Sequence, residues 1–556
     1  MSSTGPNEPS RPLESLAGVA STRERGQPAT VLAVDLGTGG PKTALVALDG
    51  TVVASVHRRV EPVVSADGTA VQDPSAWWQA VCDGTRELTG TEPDAAARVV
   101  AVAVTGQWGS TVPVDEDGEA VGECMLWMDT RGRDLARGVL GGRISVEGFA
   151  PRGILEWIRR AGGAPSTEGN DPLGHRLWIQ HEEPAIYRRT ATFLEPLDYL
   201  NAKFCGTVAA SQASMLLSWL TDNRQLRQTA YDPTLLRQAK VDPQRLPRLV
   251  PTGSVVGTVT PEVAAQIGLP EGVPVLTALP DLLSATLGSG TIGMYEAHVS
   301  ISTSAWIGCH APTKRTSISK QMATVPSALD DCYVLANNHE TAGVCLEWAR
   351  GLLVAADDGL TEPAAGRFTA GSEVPLAALD EVAATAASGS GGVLFAPWLN
   401  GERSPVADTD LRGGFHNLSL ATTRADLIRS VLEGVAHNNR WLLEESESVL
   451  KHPLGDLRII GGGAQSDLWC QIHADVFGRP LHRVADPLLA NVRGAAAFAG
   501  LSLGLIDRSD VPSMASIEET FRPDPAAQRV HGVMHREFVK LHKVERRMYR
   551  RLAKLR

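Results

Sequence analysis

From Val31 onward the chain alternates short apolar runs with clusters of turn residues. VLAVDL is the first run, Gly37-Thr38-Gly39-Gly40-Pro41-Lys42 supplies turn chemistry, TALVAL is the second run, and Asp49-Gly50 ends it ahead of TVVASVHRRV. Apolar runs of strand length joined by tight turns predict a three-stranded meander, whereas a dinucleotide-binding start needs a helix directly after the first glycines. Asp73-Pro74 then reads as an N-cap and first-turn proline before SAWWQAVCDGTREL, and RVVAVAVTG reads as a buried strand ending at Gly106. The predicted order is βββαβ. Helical patterns carry most of residues 174–240, and PVLTALPD (274–281) is a strand running into the helix that opens LLSATLG. HVSISTSAWIGC (298–309) and CYVLANNH (332–339) read as strands. GVCLEWARGLL and RADLIRSVLEGVAHNNRWLLEESESVL read as helices, and LRIIGGG as a strand before another helix. The second half thus repeats the element order of the first, although identity between the halves is too low to establish a repeat. Phe538, Leu541, Val544, Met548, Leu552 and Leu555 recur three or four apart. They predict a terminal amphipathic helix that packs this stripe on its own domain and leaves a basic face in water.

Length turns this pattern into a domain organisation. A chain of 556 residues exceeds what one hydrophobic core supports, so two large domains are expected, over residues 30–287 and 288–556. Residues 1–29, rich in Ser, Pro, Gly and charge, read as a disordered leader without the apolar stretch of a signal peptide. A net charge of -11 gives no attraction to nucleic acid or to an anionic membrane, and no apolar stretch approaches the length of a membrane span. The seven cysteines include no CxxC pair, which argues against a disulfide framework or a zinc site and places the chain in a reducing, cytoplasmic setting.

Four constellations carry candidate chemistry. Asp35 ends a strand and is followed by Gly37-Thr38-Gly39-Gly40 and Lys42. Small residues let backbone N–H groups approach phosphate oxygens while the carboxylate serves Mg²⁺ or its waters, though a capped structural hairpin has the same pattern. Gly461-Gly462-Gly463-Ala464 lies between a strand and a helix, where the chain can pass against an adenine ring or simply turn tightly. Asp281 stands at a strand-to-helix junction, suited both to accepting a hydroxyl proton and to capping the helix. Gln107, Trp108 and Gly109 offer an amide and an aromatic face at a strand terminus, as a hydroxyl-rich ligand requires. The fourteen histidines include no HExxH, and no GxSxG elbow is present.

In this order, the four constellations resemble the FGGY family of carbohydrate kinases. The likeness runs from about residue 31 to 505 and includes Gln72-Asp-Pro-Ser-Ala-Trp-Trp78, Leu126-Trp-Met-Asp-Thr-Arg131, Leu177-Trp-Ile-Gln-His-Glu-Glu-Pro184, Glu195-Pro-Leu-Asp-Tyr-Leu200, Gly401-Glu-Arg-Ser-Pro405, Arg412-Gly-Gly-Phe415 and Leu432-Glu-Gly-Val-Ala436. GERSP with RGGF, and LWMDTR, look most like the xylulokinase and pentulose-kinase branch. The resemblance implies an α/β protein of two actin-like (ribonuclease H-like) domains around an ATP and sugar cleft. It further implies ATP and Mg²⁺ as cofactors, Asp35 and Asp281 near the metal, and Asp281 as catalytic base. Gln107, Trp108, Gly109 and Leu282 would lie at the sugar. Gly37 to Gly40, Lys42, Ser302, Thr303, Ser304 and Gly461 to Ala464 would lie along the nucleotide.

The implied activity is transfer of the γ-phosphoryl group of ATP to a ketopentose such as D-xylulose. Another pentulose, a polyol, glycerol and a non-catalytic sugar-binding role are the alternatives, and oligomeric state is left open, a homodimer included. The chain departs from that branch at Trp108-Gly109, where Met-His is usual, and at Leu282, where Asn or Gln follows the aspartate. It also has Ser302 where the second phosphate loop has glycine, and His175 in place of a lysine. The first two changes remove polar partners for a sugar hydroxyl.

Overall fold

The computed structural model describes residues 27–142, 148–354 and 374–555, so the leader expected over residues 1–29 lies outside the described residues apart from Gln27 to Ala29. Strands β1 (Thr30–Gly37), β2 (Gly40–Ala47) and β3 (Val52–His57) form the antiparallel meander, with Asp35 opposite Lys42. Helix α1 (Pro74–Thr91) starts where Asp73 accepts the Ser75 N–H, and β4 (Val99–Gly106) returns parallel to β1. Strands β5 (Val255–Thr258), β6 (Pro274–Leu276) and β7 (Leu279–Pro280) complete a sheet ordered β5-β6-β4-β1-β2-β3, with β7 paired to the end of β4. The single strand expected over 274–281 is interrupted because Thr277 leaves the ladder to bond Ser254 and Gly253.

Residues 174–240 hold less helix than their pattern suggests. Helices occupy Pro172–Glu182, Pro184–Arg189, α2 (Pro196–Cys205) and Pro233–Ala239. The stretch between the last two is largely turns, since Ser211, Gln212, Ser214 and Thr221 spend their side chains on hydrogen bonds within it.

Helix α3 (Asp281–Gly288) leads into the second sheet. Its strands are β8 (Ala297–Ile301), β9 (Ala305–Ala311), β10 (Thr316–Ser317), β11 (Met322–Pro326), β12 (Tyr333–Ala336), β13 (Leu457–Ile460), β14 (Leu481–Val484) and β15 (Ile517–Phe521). Their order is β10-β11-β12-β9-β8-β13-β14-β15. The continuous strand expected over 298–309 is therefore a hairpin, turning at Ser302-Thr303-Ser304, where the Ser302 N–H donates to the Ser304 carbonyl at 2.8 Å. The path β12-β9-β8-β13-β14 reproduces β3-β2-β1-β4-β6 of the first sheet, strand direction for strand direction. The duplication inferred from element order is thus one of topology.

One face of the first sheet packs on α1 and α2 through Leu32, Val34, Leu45, Trp77, Val81 and Leu200. The other face, with Val31, Ala33, Ala44 and Ala101, is covered by Val492, Ala495, Ala496 and Ala499 of α7 (Ala490–Ser502), a helix from the far end of the chain. Conversely, Leu282, Leu283 and Leu287 of α3 share a core with Val325 and Val334 of the second sheet. Each half thus lends a helix to the other. The two helices cross where Gly288 faces the Ala490 carbonyl and Gly494 faces the Ser284 carbonyl, and a Cβ at either glycine would overlap backbone atoms. Arg493, buried beside the crossing, donates to the carbonyls of Gly50, Gly288 and Ala485, tying three segments together.

The second half also contains α4 (Gly343–Ala349), α5 (Arg424–Leu450), α6 (Asp467–Phe477) and the terminal α8 (Pro525–Leu552). The face that α8 buries is not the expected stripe. Phe538 is buried and Leu541 packs beside it, but Val544, Met548, Leu552 and Leu555 are exposed, and His531, His535 and His542 are buried instead. Hydrophobic periodicity counts histidine as polar, whereas here imidazole rings serve as flat aromatic surface. His437 of α5 stacks on His535 and meets His531 edge-on, and burial pushes the His531 imidazole down to about 4. All seven cysteines are buried and unpaired, and among the described residues no helix is long and apolar enough to cross a membrane. Gly494→Val is expected to drive a side chain into the Ser284 carbonyl and to lower stability by about 3 kcal/mol or more, read from the midpoint of urea unfolding.

Candidate active site

The parallel strands β1, β4 and β7 end side by side, and their ends carry the acidic residues. Asp35 pairs with Thr105, Leu36 with Gly106, and Pro280 with Gly106, so Asp281 emerges one residue beyond a strand end beside the Asp35 turn. Asp281 is the first residue of α3, not its N-cap. Pro280 holds the cap position, and Asp281 Oδ1 accepts the adjacent Leu282 N–H at 2.7 Å. Burial and the neighbouring Asp35 charge push the Asp281 carboxyl up to about 7. Asp35 is also raised by burial, with Lys42 and an Asn491 hydrogen bond opposing the rise. Two carboxylates whose charges disfavour each other, with Lys42 opposite, suit a hard divalent cation held further by phosphate oxygens and water. Among the described residues no three His, Cys, Asp or Glu side chains gather into a closed metal site.

The two loops expected along a nucleotide are brought to the same seam. Gly37-Thr38-Gly39-Gly40 forms the tip between β1 and β2, and Lys42 Nζ crosses to donate to the Leu488 carbonyl at 2.8 Å. The Gly461 N–H donates to the Pro487 carbonyl, and Gly461, at φ +88°, lies against the Ile301 carbonyl where any side chain would collide. Gly462, Gly463 and Ala464 turn beside it, so the glycine run adjoins the Ser302-Thr303-Ser304 hairpin. The Thr303 carbonyl accepts the Ala342 N–H, and that of Ser302 accepts the Gly343 N–H.

Beside the β1–β2 turn, the Gln107 N–H donates to the Leu36 carbonyl at 2.8 Å, and its Oε1 accepts from Thr38 Oγ1 at 3.5 Å. Gln107 Nε2 is buried without a partner, a donor aimed at nothing in the chain. Trp108 and Leu217 pack against the apolar cluster that holds Leu282 and Leu216. The Gly109 and Ser110 N–H groups donate to Glu195 Oε2 at 2.9 and 3.2 Å. Burial, reinforced by Asp198, holds the Glu195 carboxyl well above the usual range. His175, at the lysine position, is buried and contacts Thr111 Oγ1 at 3.2 Å, away from the phosphate loops.

Several side chains here carried no assigned role. Trp127 donates its indole N–H to Thr38 Oγ1 at 3.3 Å, and Arg403, from the second half, lies over its ring at 5.3 Å while pairing with Glu340 at 2.5 Å. Trp127, Glu195 and Arg403 fall in the LWMDTR, EPLDYL and GERSP segments, whose family likeness was the available signal. Asn491 has no such signal. Its Nδ2 donates to Asp35 Oδ2 at 3.3 Å across 456 residues of sequence.

Two sheets that share a strand path, joined by exchanged helices and with loops meeting beside an acidic pair, define a two-lobed α/β protein of the actin-like class. Family models of the N-terminal and C-terminal domains of the FGGY family of carbohydrate kinases match residues 30–288 and 297–503. The chain belongs to this family and is a carbohydrate kinase of actin-like α/β fold. It is 28% identical over 506 residues to a xylulose kinase of Staphylococcus epidermidis, covering 89% of this chain and 92% of that one. It is 26% identical over 503 residues to a gluconokinase of Bacillus subtilis, with 89% and 91% covered. The crystal structure of xylulose kinase from Rhodospirillum rubrum superposes with a TM-score of 0.78 at 27% identity, covering 94% of this chain and 100% of that chain.

The raised Asp281 carboxyl has a consequence for stability. Its folded value of about 7 exceeds its unfolded value of 3.8, so its favourable contribution is complete below the latter and is lost as pH rises through about 7. Asp281→Asn is therefore expected to raise the melting temperature by about 2–5 °C at pH 8 and by less at pH 4, as calorimetry at both pH values would show.

Proposed function

We propose that this kinase transfers the γ-phosphoryl group of ATP to a hydroxyl of a ketopentose such as D-xylulose, with Asp281 as the general base. The observation that carries the reading is the meeting of Asp281 with the Asp35 turn beside the unpartnered Gln107 amide. A sugar hydroxyl is too weak an acid to ionise before attack. A carboxylate beside it orients the oxygen and takes the proton as the bond to phosphorus forms. A group titrating near neutrality suits that task. Gln107 Nε2 donates to a substrate oxygen, satisfying a buried group that nothing in the chain satisfies. Trp108 and Leu282 give the sugar an apolar wall, and the likeness to xylulose kinases supports a five-carbon ketose over glycerol. The Gly37 to Gly40 turn and the Ser302-Thr303-Ser304 turn would lie along the phosphates from opposite lobes, and Gly461 to Ala464 would line the adenine side. Asp35 and Asp281 would hold Mg²⁺, which when bound neutralises charge on the phosphate oxygens. Buried, unpaired cysteines are in keeping with work in the cytoplasm.

Nucleotide consumption measured with D-xylulose, other pentuloses, gluconate, glycerol and linear polyols tests the substrate. Preference for D-xylulose or a near relative is expected, and preferential turnover of gluconate or glycerol would overturn the assignment. Asp281→Ala is expected to lower kcat by roughly 1,000-fold or more while leaving ATP affinity, measured calorimetrically, within about threefold. A nearly active variant would show that another group is the base. Since the base acts in its ionised form, kcat/KM for the sugar is expected to rise with pH through about 7 and then level. Gln107→Leu is expected to raise the sugar KM about tenfold with the nucleotide KM unchanged.

A further inference from the structure

The first turn of α7 touches both acidic residues' supports from the opposite lobe. Asn491 Nδ2 donates to Asp35 Oδ2 at 3.3 Å. The Asn491 carbonyl accepts from Ser284 Oγ at 2.8 Å, and Ser284 lies one helical turn along from Asp281 on α3. Three residues earlier, the Leu488 carbonyl accepts from Lys42, the residue paired with Asp35 across the first hairpin. The stretch Leu488 to Asn491 therefore grips β1, β2 and α3 at once, and the close crossing at Gly288 and Gly494 leaves α7 no freedom to slide along α3. An aspartate beside a second carboxylate is pushed away from it by charge. A donor fixed to the other lobe opposes that displacement and orients one carboxylate oxygen, leaving the second free.

We infer that Asn491 is a positioning residue for phosphoryl transfer, holding Asp35 in register with Asp281 across the lobe boundary through its side-chain amide. The inference rests on the reading of Asp35 and Asp281 as the working pair. It goes beyond that reading by assigning part of the alignment to a residue that touches neither sugar nor nucleotide in the scheme. The amide must donate, so an isosteric acceptor in its place should be worse than no side chain at all.

Asn491→Asp keeps the shape and removes the donor, while Asn491→Ala removes both. Expected are a kcat about 100-fold lower in Asn491→Asp and about 10-fold lower in Asn491→Ala, with the sugar KM within about threefold of the parent. Melting temperatures of both are expected within about 2 °C of the parent. A readout independent of turnover is calorimetric binding of ADP with and without Mg²⁺. In Asn491→Asp the affinity for Mg-ADP is expected to fall about tenfold while that for metal-free ADP stays unchanged. Full activity and normal Mg-ADP binding in Asn491→Asp would overturn the inference. So would a defect in Asn491→Ala that Asn491→Asp does not share, which would mark a packing role. If Asp281→Ala itself proved active, the parent reading would fail instead, and the two failures are distinct.

Discussion

Asp35 and Asp281 repel one another, and much of the molecule is arranged to hold them together nonetheless. They sit at the ends of strands locked in one register, so neither can retreat along its own backbone without breaking a ladder. Lys42 opposes the repulsion with charge, and Asn491 with a hydrogen bond. Under the proposed function, a metal-nucleotide would supply the positive charge that this pair favours. Binding and alignment would then be one event, because a cation relieving the repulsion would arrive with the phosphate.

Duplicated topology explains why the loops face one another. The tip of β1 and β2 in the first sheet and the tip of β8 and β9 in the second close hairpins that hold equivalent places in the strand order. Exchange of α3 and α7 brings the two sheets into opposition through one tight helix crossing. The glycines at that crossing set the distance between lobes, and the loops inherit it. In the second sheet the turn is Ser-Thr-Ser, one residue longer than the Thr38-Gly39 turn of the first and without the positive-φ Gly40 that closes it.

What could be read from the sequence follows from how local each determinant is. The meander, the Asp73-Pro74 helix start and the strand ending at Gly106 are set by neighbours within a few residues, and they appear where periodicity puts them. The hairpin at Ser302 to Ser304 was hidden because β-favouring residues run through it without glycine or proline, and only the family likeness suggested a loop there. The buried face of α8 was hidden because its packing residues are histidines. Proximity of Asp281 to Asp35 was legible only through the resemblance, since nothing in either segment encodes the other. The cross-lobe contacts of Lys42 with Leu488 and of Asn491 with Asp35 join residues more than 400 apart, and a single sequence carries no local trace of them. The Trp108 and Leu282 departures were plain as residues, and the structure gives them a shared apolar cluster.

Because α7 supplies the second cover of the first sheet, the order of synthesis matters. A ribosome that has released everything up to Gly288 has delivered a sheet with one finished face and one bare one, and α3 has as yet no second sheet to lie on. The bare face waits for some two hundred further residues before Val492, Ala495 and Ala499 emerge to close it. The amino-terminal half is thus a dependent of the carboxyl-terminal one, and a nascent chain stalled between them presents an open apolar surface of the kind that chaperones bind.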